Sequence, residues 1–595
     1  MNMTTVRKFA VFAFAGLALA ACSGESGDMG AGALPTVTQD ALPEPTPPTA
    51  PPPPNIDISI TMLDTKADTV RFLSRATFGG TKADIDALTG TDAVTWLQAE
   101  FAKPPTLSLP TLMQQPRDVD GNFAWGRLSD LYWDQMIKSD DQLRQRMVFA
   151  LSQIVVYSDI QGQPQLMRAN YQDILSRNAF GNYRDLLQDV TYSPAMAEFL
   201  TYMRNRKGDP EKGRMPDENY AREILQLFSI GLIELNMDGT PKLGADGREA
   251  ETFDNDDIIG LARIFTGLAH DLPEFWAWPR PESVEYTPLK MFQDQHSPLE
   301  KTFLGTTIPA DTLGDEAITR ALDTIFEHPN VAPFVSRQLI QRFTQSSPSP
   351  AYIKRVATAF ENGVYVAVNG ARFGTGERGD LEATLAAVLL EEQLYRRDRD
   401  NDQIVLNGKI REPILRFTHW ARTFDLQNID SGNEGLLGGT IDPVEGLGQH
   451  PMRAPSVFNY YRPGYIAPST EAARANMTAP EFQITNESSS IGYLNFMTDF
   501  AFDRGWQPDG ETPTFVPNYS EELAYGDDMQ ALVEHLDLIM TGARMPLDER
   551  EALADVLDTV RIRTSTLEHE ADDRFQRVAV AVALVANSPA YSVTW

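Results

Sequence analysis

Residues 216–231 read Pro216-Asp217-Glu218-Asn219-Tyr220-Ala221-Arg222-Glu223-Ile224-Leu225-Gln226-Leu227-Phe228-Ser229-Ile230-Gly231. Tyr220, Ile224, Leu227 and Phe228 recur at helical spacing and make one apolar face. Asn219, Arg222, Glu223 and Gln226 fall at i, i+3, i+4 and i+7, so they form a polar stripe. Asp217 is placed to cap this helix, and Gly231 to end it in the left-handed conformation. Glu218 and Arg222 can pair at i, i+4. A stripe of amide, guanidinium and carboxylate either lines a polar cleft or holds neighbouring loops.

The same period extends outward. Leu143, Met147, Leu151 and Ile154 share one face, and amphipathic stretches cover about 171–190, 218–230, 256–267, 316–327, 331–344, 351–361, 380–395 and 409–424. Others cover about 528–541, 547–562 and 570–587. Strand signals are sparse. Residues 233–236, followed by Asp238-Gly239 and Asp246-Gly247, read as a small hairpin or paired turns, and 364–368 as a short β-like run. The expected fold is mainly α: a large multi-helix body with minor β-hairpin elements and a loop-rich region near 425–520.

Composition narrows the function classes. Of 595 residues, 83 are acidic and 51 basic, for a net charge of −32. That balance excludes a nucleic-acid binder, which needs clustered Lys and Arg against phosphates. A single cysteine excludes an intrachain disulfide and any multi-cysteine metal site.

Its position says more. Arg7 and Lys8 precede an apolar run from Phe9 to Ala21, too short to span a bilayer comfortably, which ends at Cys22. Leu19-Ala20-Ala21-Cys22 resembles a bacterial lipobox, implying a lipoprotein signal peptide at 1–21 and acylation of Cys22. Ser23 stands where Asp would favour inner-membrane retention, so the resemblance implies an outer-membrane lipoprotein of the bacterial envelope, facing periplasm or cell surface. Several acyl chains, at about 0.8 kcal/mol per buried CH₂, anchor a protein stably. Residues 22–58 are Gly-, Ser- and Pro-rich and read as a disordered tether. The helical body is then 59–595, with 59–424 and 425–595 as its expected subdivision.

The run from Asp217 to Gly231 resembles the signature of the bacterial exported family catalogued as domain of unknown function 1800. Further ordered matches support it: Arg71-Phe72-Leu73-Ser74-Arg75-Ala76-Thr77-Phe78-Gly79, Phe180-Gly181-Asn182-Tyr183, Ala262-Arg263-Ile264-Phe265-Thr266-Gly267, His296 through Gly305, and Ala454-Pro455-Ser456-Val457-Phe458-Asn459-Tyr460-Tyr461. Asp217 stands where the family has Asn, and Ser297 follows His296 where Asp is common. The resemblance implies an exported helical protein without an established reaction. It also implies a partner, because relatives are often encoded beside an exported family with a sulfatase-like fold.

Seven histidines are His270, His296, His328, His419, His450, His535 and His569, and none forms a close ligand pair. His296 lies in a polar loop with Glu300 and Lys301 nearby, which makes it the foremost candidate for chemistry, against a structural hydrogen-bonded role. His328 precedes a proline at a helix start and reads as a cap. His419 and Trp420 read as core or interface. Gly374-Thr375-Gly376-Glu377-Arg378-Gly379 fits GxGxxG, yet Asp380 would put a carboxylate where phosphate sits, so a turn with an Asp cap is expected. No motif requires a cofactor or defines a metal site. Asp398, Asp400 and Asp402 lack the Gly and bidentate Glu of an EF-hand, and calcium rests only on the acidic balance there and at Asn236-Met237-Asp238-Gly239.

Two functions follow. The first is a lipid-anchored accessory protein binding an exported partner or an envelope polymer. The second is a hydrolase acting on an extracytoplasmic substrate, with Glu218, Arg222, Glu223 and His296 as catalytic candidates and Asn219, Gln226 and Lys301 as binding candidates. A structural reading makes the same stripe a buried network between helices.

Overall fold

Side-chain caps set the helix starts. Thr65 and Thr81 each make a reciprocal capping box, with Asp68 and Asp84, at the heads of Lys66–Ala76 and Lys82–Leu88. In the computed structural model, described over residues 61–124, 126–395, 408–428, 438–502 and 515–594, there are 22 α-helices and five two-stranded antiparallel sheets. The signal and tether readings over 1–58, Cys22 included, and the Asp398, Asp400 and Asp402 run lie outside the described residues. Among those residues no helix is long and apolar enough to cross a membrane.

Several boundaries differ from the sequence periods for local reasons. The 171–190 stretch is two helices, Gln165–Asn178 and Tyr183–Thr191, because Asn182 accepts the Arg184 N–H at 2.9 Å and starts a new helix. In the 409–424 stretch the helix is Pro413–Thr423, with proline at its first turn, while Lys409–Ile410 pairs with Val593–Thr594. The 364–368 run supplies Tyr365–Val366, paired with Arg372–Phe373. Paired turns do form at 233–251, bridged at Ile233/Glu251, Leu235/Pro241 and Leu243/Glu249. The loop-rich stretch near 425–520 holds a 15-residue helix, Glu487–Ala501, capped by Asn486.

Residues Ile56–Trp595 form one compact unit with two principal apolar cores. One gathers the helices between Leu63 and Leu390. The other joins Pro413–Thr423, Glu487–Ala501, Met529–Leu536 and Leu567–Ala586, and takes in Phe78, Trp133 and Phe149 from the N-terminal half. Buried polar contacts cross between the halves. Glu412 accepts from Gln153 Nε2 at 2.9 Å and Gln449 Nε2 at 2.8 Å, and Arg422 Nε donates to the Gly79 carbonyl at 2.6 Å. Lys409 and Glu481 form an ion pair, each about 1% exposed. Such groups are retained inside a fold only when partnered.

One backbone contact positions the region of interest. Gly260, in helix Asn255–Ile264, faces the hairpin formed by Lys301–Phe303 and Thr306–Ile308. A Cβ there would stand 1.8 Å from the Thr302 carbonyl oxygen. Only glycine lets the hairpin lie flush on the helix. Gly260→Ala is therefore expected to cost about 3 kcal/mol through overpacking. Exposed Gly181, where the nearest atom would be 3.7 Å from a Cβ, should tolerate alanine within about 0.5 kcal/mol. Thermal or denaturant unfolding of the two variants checks the contrast.

Candidate functional site

The signature helix spans Asn219–Gln226. Asp217 Oδ1 accepts the Asn219 N–H at 2.8 Å from one residue ahead of the N-cap position, which Glu218 holds without a side-chain cap bond of its own. Gly231 sits at φ +72° with its N–H on the Leu225 carbonyl, 3.0 Å away. Asp217 is also held by the 201–207 segment: its N–H donates to Asn205 Oδ1 at 2.9 Å, and Thr201 Oγ1 donates to its Oδ2 at 3.0 Å.

That segment is pinned on its far side by Gly267. The Gly267 N–H donates to the Asn205 carbonyl, and its own carbonyl accepts the Phe292 N–H, both at 2.8 Å. The Arg204 N–H reaches the Leu268 carbonyl at 2.9 Å, and the Lys207 N–H the Gln295 carbonyl at 2.8 Å. Thr201 and Arg204 are held at φ +62° and +61°, a left-handed conformation that costs a non-glycine residue of order 1 kcal/mol. The loop is thus rigidly tied to both the signature helix and the 267–296 segment.

His296 and Lys301, expected in a polar loop, are instead sealed: His296 is 1% exposed and Lys301 fully buried. Lys301 opens the strand of the hairpin that folds onto Gly260. His296 Nδ1–H donates to the Thr266 carbonyl at 2.9 Å, which leaves Nε2 as a bare acceptor without a partner. Thr266 Oγ1 accepts the Ser297 N–H at 2.9 Å. Burial, with a smaller push from the Lys301 charge, lowers the His296 pKa to about 4, against the favourable Thr266 bond. Burial likewise lowers the Lys301 pKa, and its ammonium has no hydrogen-bond acceptor.

Glu223 is also buried, with Oε2 unpartnered. Burial raises its pKa, partly offset by Arg222. No hydrogen bond or ion pair joins Glu223 to His296 among the described residues. Asn219, Arg222 and Gln226 are half-buried at the surface, and Arg222 meets Glu218 at 3.6 Å with both side chains well exposed. An exposed pair of this kind contributes about 0–1 kcal/mol. The stripe is therefore split: its amides and guanidinium face outward and its carboxylate Glu223 inward.

Beside it lies a group that periodicity did not single out. Trp276 and Trp278 are 57% and 76% exposed. The guanidinium carbons of Arg204 and Arg206 lie 5.2 and 5.4 Å from the Trp276 ring centroid, and that of Arg280 lies 5.2 Å from Trp278. Arg280 donates to His270 Nε2 at 2.9 Å and has Glu198 at 4.0 Å. Arg204 and Arg206 form no ion pair among the described residues, although the Glu198 charge also acts on Arg204. The compositional signal was present in Arg204-Asn205-Arg206-Lys207 and Trp276-Ala277-Trp278, two short runs far apart in the chain.

The other candidates resolve into structural roles. Asp380 accepts the Ala383 N–H at 2.8 Å as a helix cap, while its other oxygen takes the Thr375 N–H at 2.8 Å, so the carboxylate fills the GxGxxG turn. His328 Nδ1 accepts the Asn330 N–H at 3.2 Å at the head of Val331–Phe343, and His419 is buried against Arg411 and Tyr591. Asp238 Oδ1 is taken up within its turn by the Thr240 N–H and Oγ–H, at 3.0 and 2.6 Å. Glu521, Glu522 and His535 are close enough to share a metal ion, but Lys82 Nζ lies 2.6 Å from Glu522 and already supplies a cation.

The fold and these motifs together define a mainly helical protein whose ordered sequence matches pack against one another. The chain belongs to the family described as a protein of unknown function, DUF1800, which matches it over residues 71–593. No curated protein and no solved structure gives a significant match to the chain.

The buried histidine sets a pH dependence. His296 binds its proton near pH 6.5 when unfolded and near 4 when folded, so the unfolded state holds more protons between those values. Its contribution to stability is complete above about pH 6.5 and lost as pH falls toward 4. His296→Asn, which keeps an amide where Nδ1 stands, is expected to lessen the slope of melting temperature against pH over that window without abolishing it, because burial also lowers the pKa of His270, His328, His419 and His450. Circular-dichroism melts from pH 4 to 7.5 check the slope.

Proposed function

We propose that the protein is an outer-membrane lipoprotein, anchored by acylated Cys22 and the 22–58 tether, whose helical body binds an envelope polysaccharide carrying acid groups. The carrying observation is the exposed Trp276 and Trp278 beside the guanidiniums of Arg204, Arg206 and Arg280. Indole faces stack on sugar rings, and guanidinium groups bind carboxylate or sulfate in bidentate fashion. In a chain of net charge −32, three guanidiniums gathered around two indoles with Glu198 as the acid beside them form a local exception that favours an anionic ligand. Asn219 meets the same 201–207 segment, its Nδ2 lying 3.5 Å from Thr201 Oγ1.

Burial of Glu223 and His296 weighs against the hydrolase alternative, because neither side chain meets solvent where a substrate could reach it. A sulfatase-like exported partner, implied by the family resemblance, is the alternative occupant of the same surface.

Affinity electrophoresis of the full-length protein through acidic and neutral envelope polysaccharides tests the reading. Trp276→Ala combined with Trp278→Ala should weaken retention by acidic polymer at least tenfold, and equal retention by neutral polymer would count against it. Cys22→Ala should abolish acyl labelling and move the protein from the membrane pellet to the soluble fraction. Arg222→Ala should leave the melting temperature within about 2 °C, as its exposed ion pair requires. A large drop would restore the structural-network reading.

A further inference from the structure

A cavity of about 340 Å³ opens between the 238–241 turn, helix Val331–Phe343, the head of helix Pro350–Asn362 and residues 476–478. Arg337 is the one cation among the lining residues. Its guanidinium has no hydrogen-bond or carboxylate partner among the described residues, and burial alone lowers its pKa. Arg337 is half-buried, and a partly desolvated guanidinium without a counter-ion favours an anion beside it.

The surrounding groups add to that demand. Ser349 caps the 13-residue helix Pro350–Asn362 by accepting the Tyr352 N–H at 3.3 Å, so the positive end of the helix borders the cavity. Ser347 Oγ accepts the Thr478 N–H at 3.1 Å, which leaves its hydroxyl proton free to donate. The walls are preformed. Pro348 and Pro350 restrict the backbone on one side, and Asn476 is held at φ +52° on the other. Gly239, at φ +75°, leaves Ile353 room that a Cβ would narrow to 3.0 Å.

One acid shares the lining. Asp238 keeps its carboxylate ionised through two bonds from Thr240, with its pKa held below the ordinary range. It disfavours a bare polyanion and offers an acceptor to hydroxyl groups. We propose that this cavity is a binding site for a small hydroxylated organic anion, a sugar acid or sugar sulfate, with its acid group on Arg337 and a hydroxyl on Asp238. The site is separate from the tryptophan surface and does not rest on the reading given to it.

Isothermal titration of the full-length protein, at matched ionic strength, tests the proposal with sodium glucuronate and galactose 6-sulfate against glucose and sodium sulfate. At least one acidic sugar should bind at least tenfold more tightly than glucose or sulfate. Arg337→Gln should weaken it at least tenfold without lowering the melting temperature, since it removes an unpaired charge. Trp276→Ala with Trp278→Ala should leave this binding unchanged, which separates its failure from failure of the polymer reading. Should Arg337→Gln fail to fold, Asn476→Gly, which keeps the left-handed backbone, and Ser347→Ala carry the test through weakened binding. Absence of binding by both acidic sugars, equal binding of glucose or sulfate, or full affinity in the folded variants overturns the proposal.

Discussion

Gly267 is the joint on which the candidate region depends. Its N–H and carbonyl are committed to two distant segments, at Asn205 and Phe292, and it sits at φ +95°. A Cβ there would lie 2.9 Å from the Phe292 carbonyl and 3.1 Å from the His296 nitrogen. The left-handed backbone and both close approaches favour a residue without a side chain. Through this joint the 201–207 segment is held against the signature helix, and Arg204 and Arg206 are delivered beside Trp276.

The same packing redistributes chemistry between inside and outside. Gly260 admits the Lys301–Phe303 strand at close range, His296 and Lys301 both lie out of the solvent, and desolvation opposes charge on both. A neutral histidine fixed by the Thr266 carbonyl behaves as a structural strut. The long side chains of Arg204 and Arg206 stand instead on a rigid loop, whose strained backbone at Thr201 and Arg204 is supported from both sides.

Helix content was legible because amphipathic period and capping chemistry are local. Asp217, Gly231, His328 and Asp380 act at the termini and turns where their positions placed them. The stripe on the signature helix was legible as a set, but its division was not. Whether Glu223 faces protein or water depends on what packs beside it, and spacing within one helix carries no record of that. The 487–501 helix hid in a Gly- and Ser-rich neighbourhood because its hydrophobic face is weakly segregated and its partners, such as Tyr493 with the Ala586 carbonyl, lie far along the chain.

By itself the sequence determined the fold class, the helix caps, the acidic balance and the family, since each rests on local spacing or on ordered motifs. Only the tertiary structure decided which of those motif residues are buried, and which distant runs meet. Arg204 and Trp276 are 72 residues apart, and Asp238 and Arg337 are 99 apart, so their juxtaposition comes from long-range packing. Desolvation, which opposes charge on the buried His296 and on the half-buried Arg337, is likewise a property of the assembled fold. No window of sequence contains it.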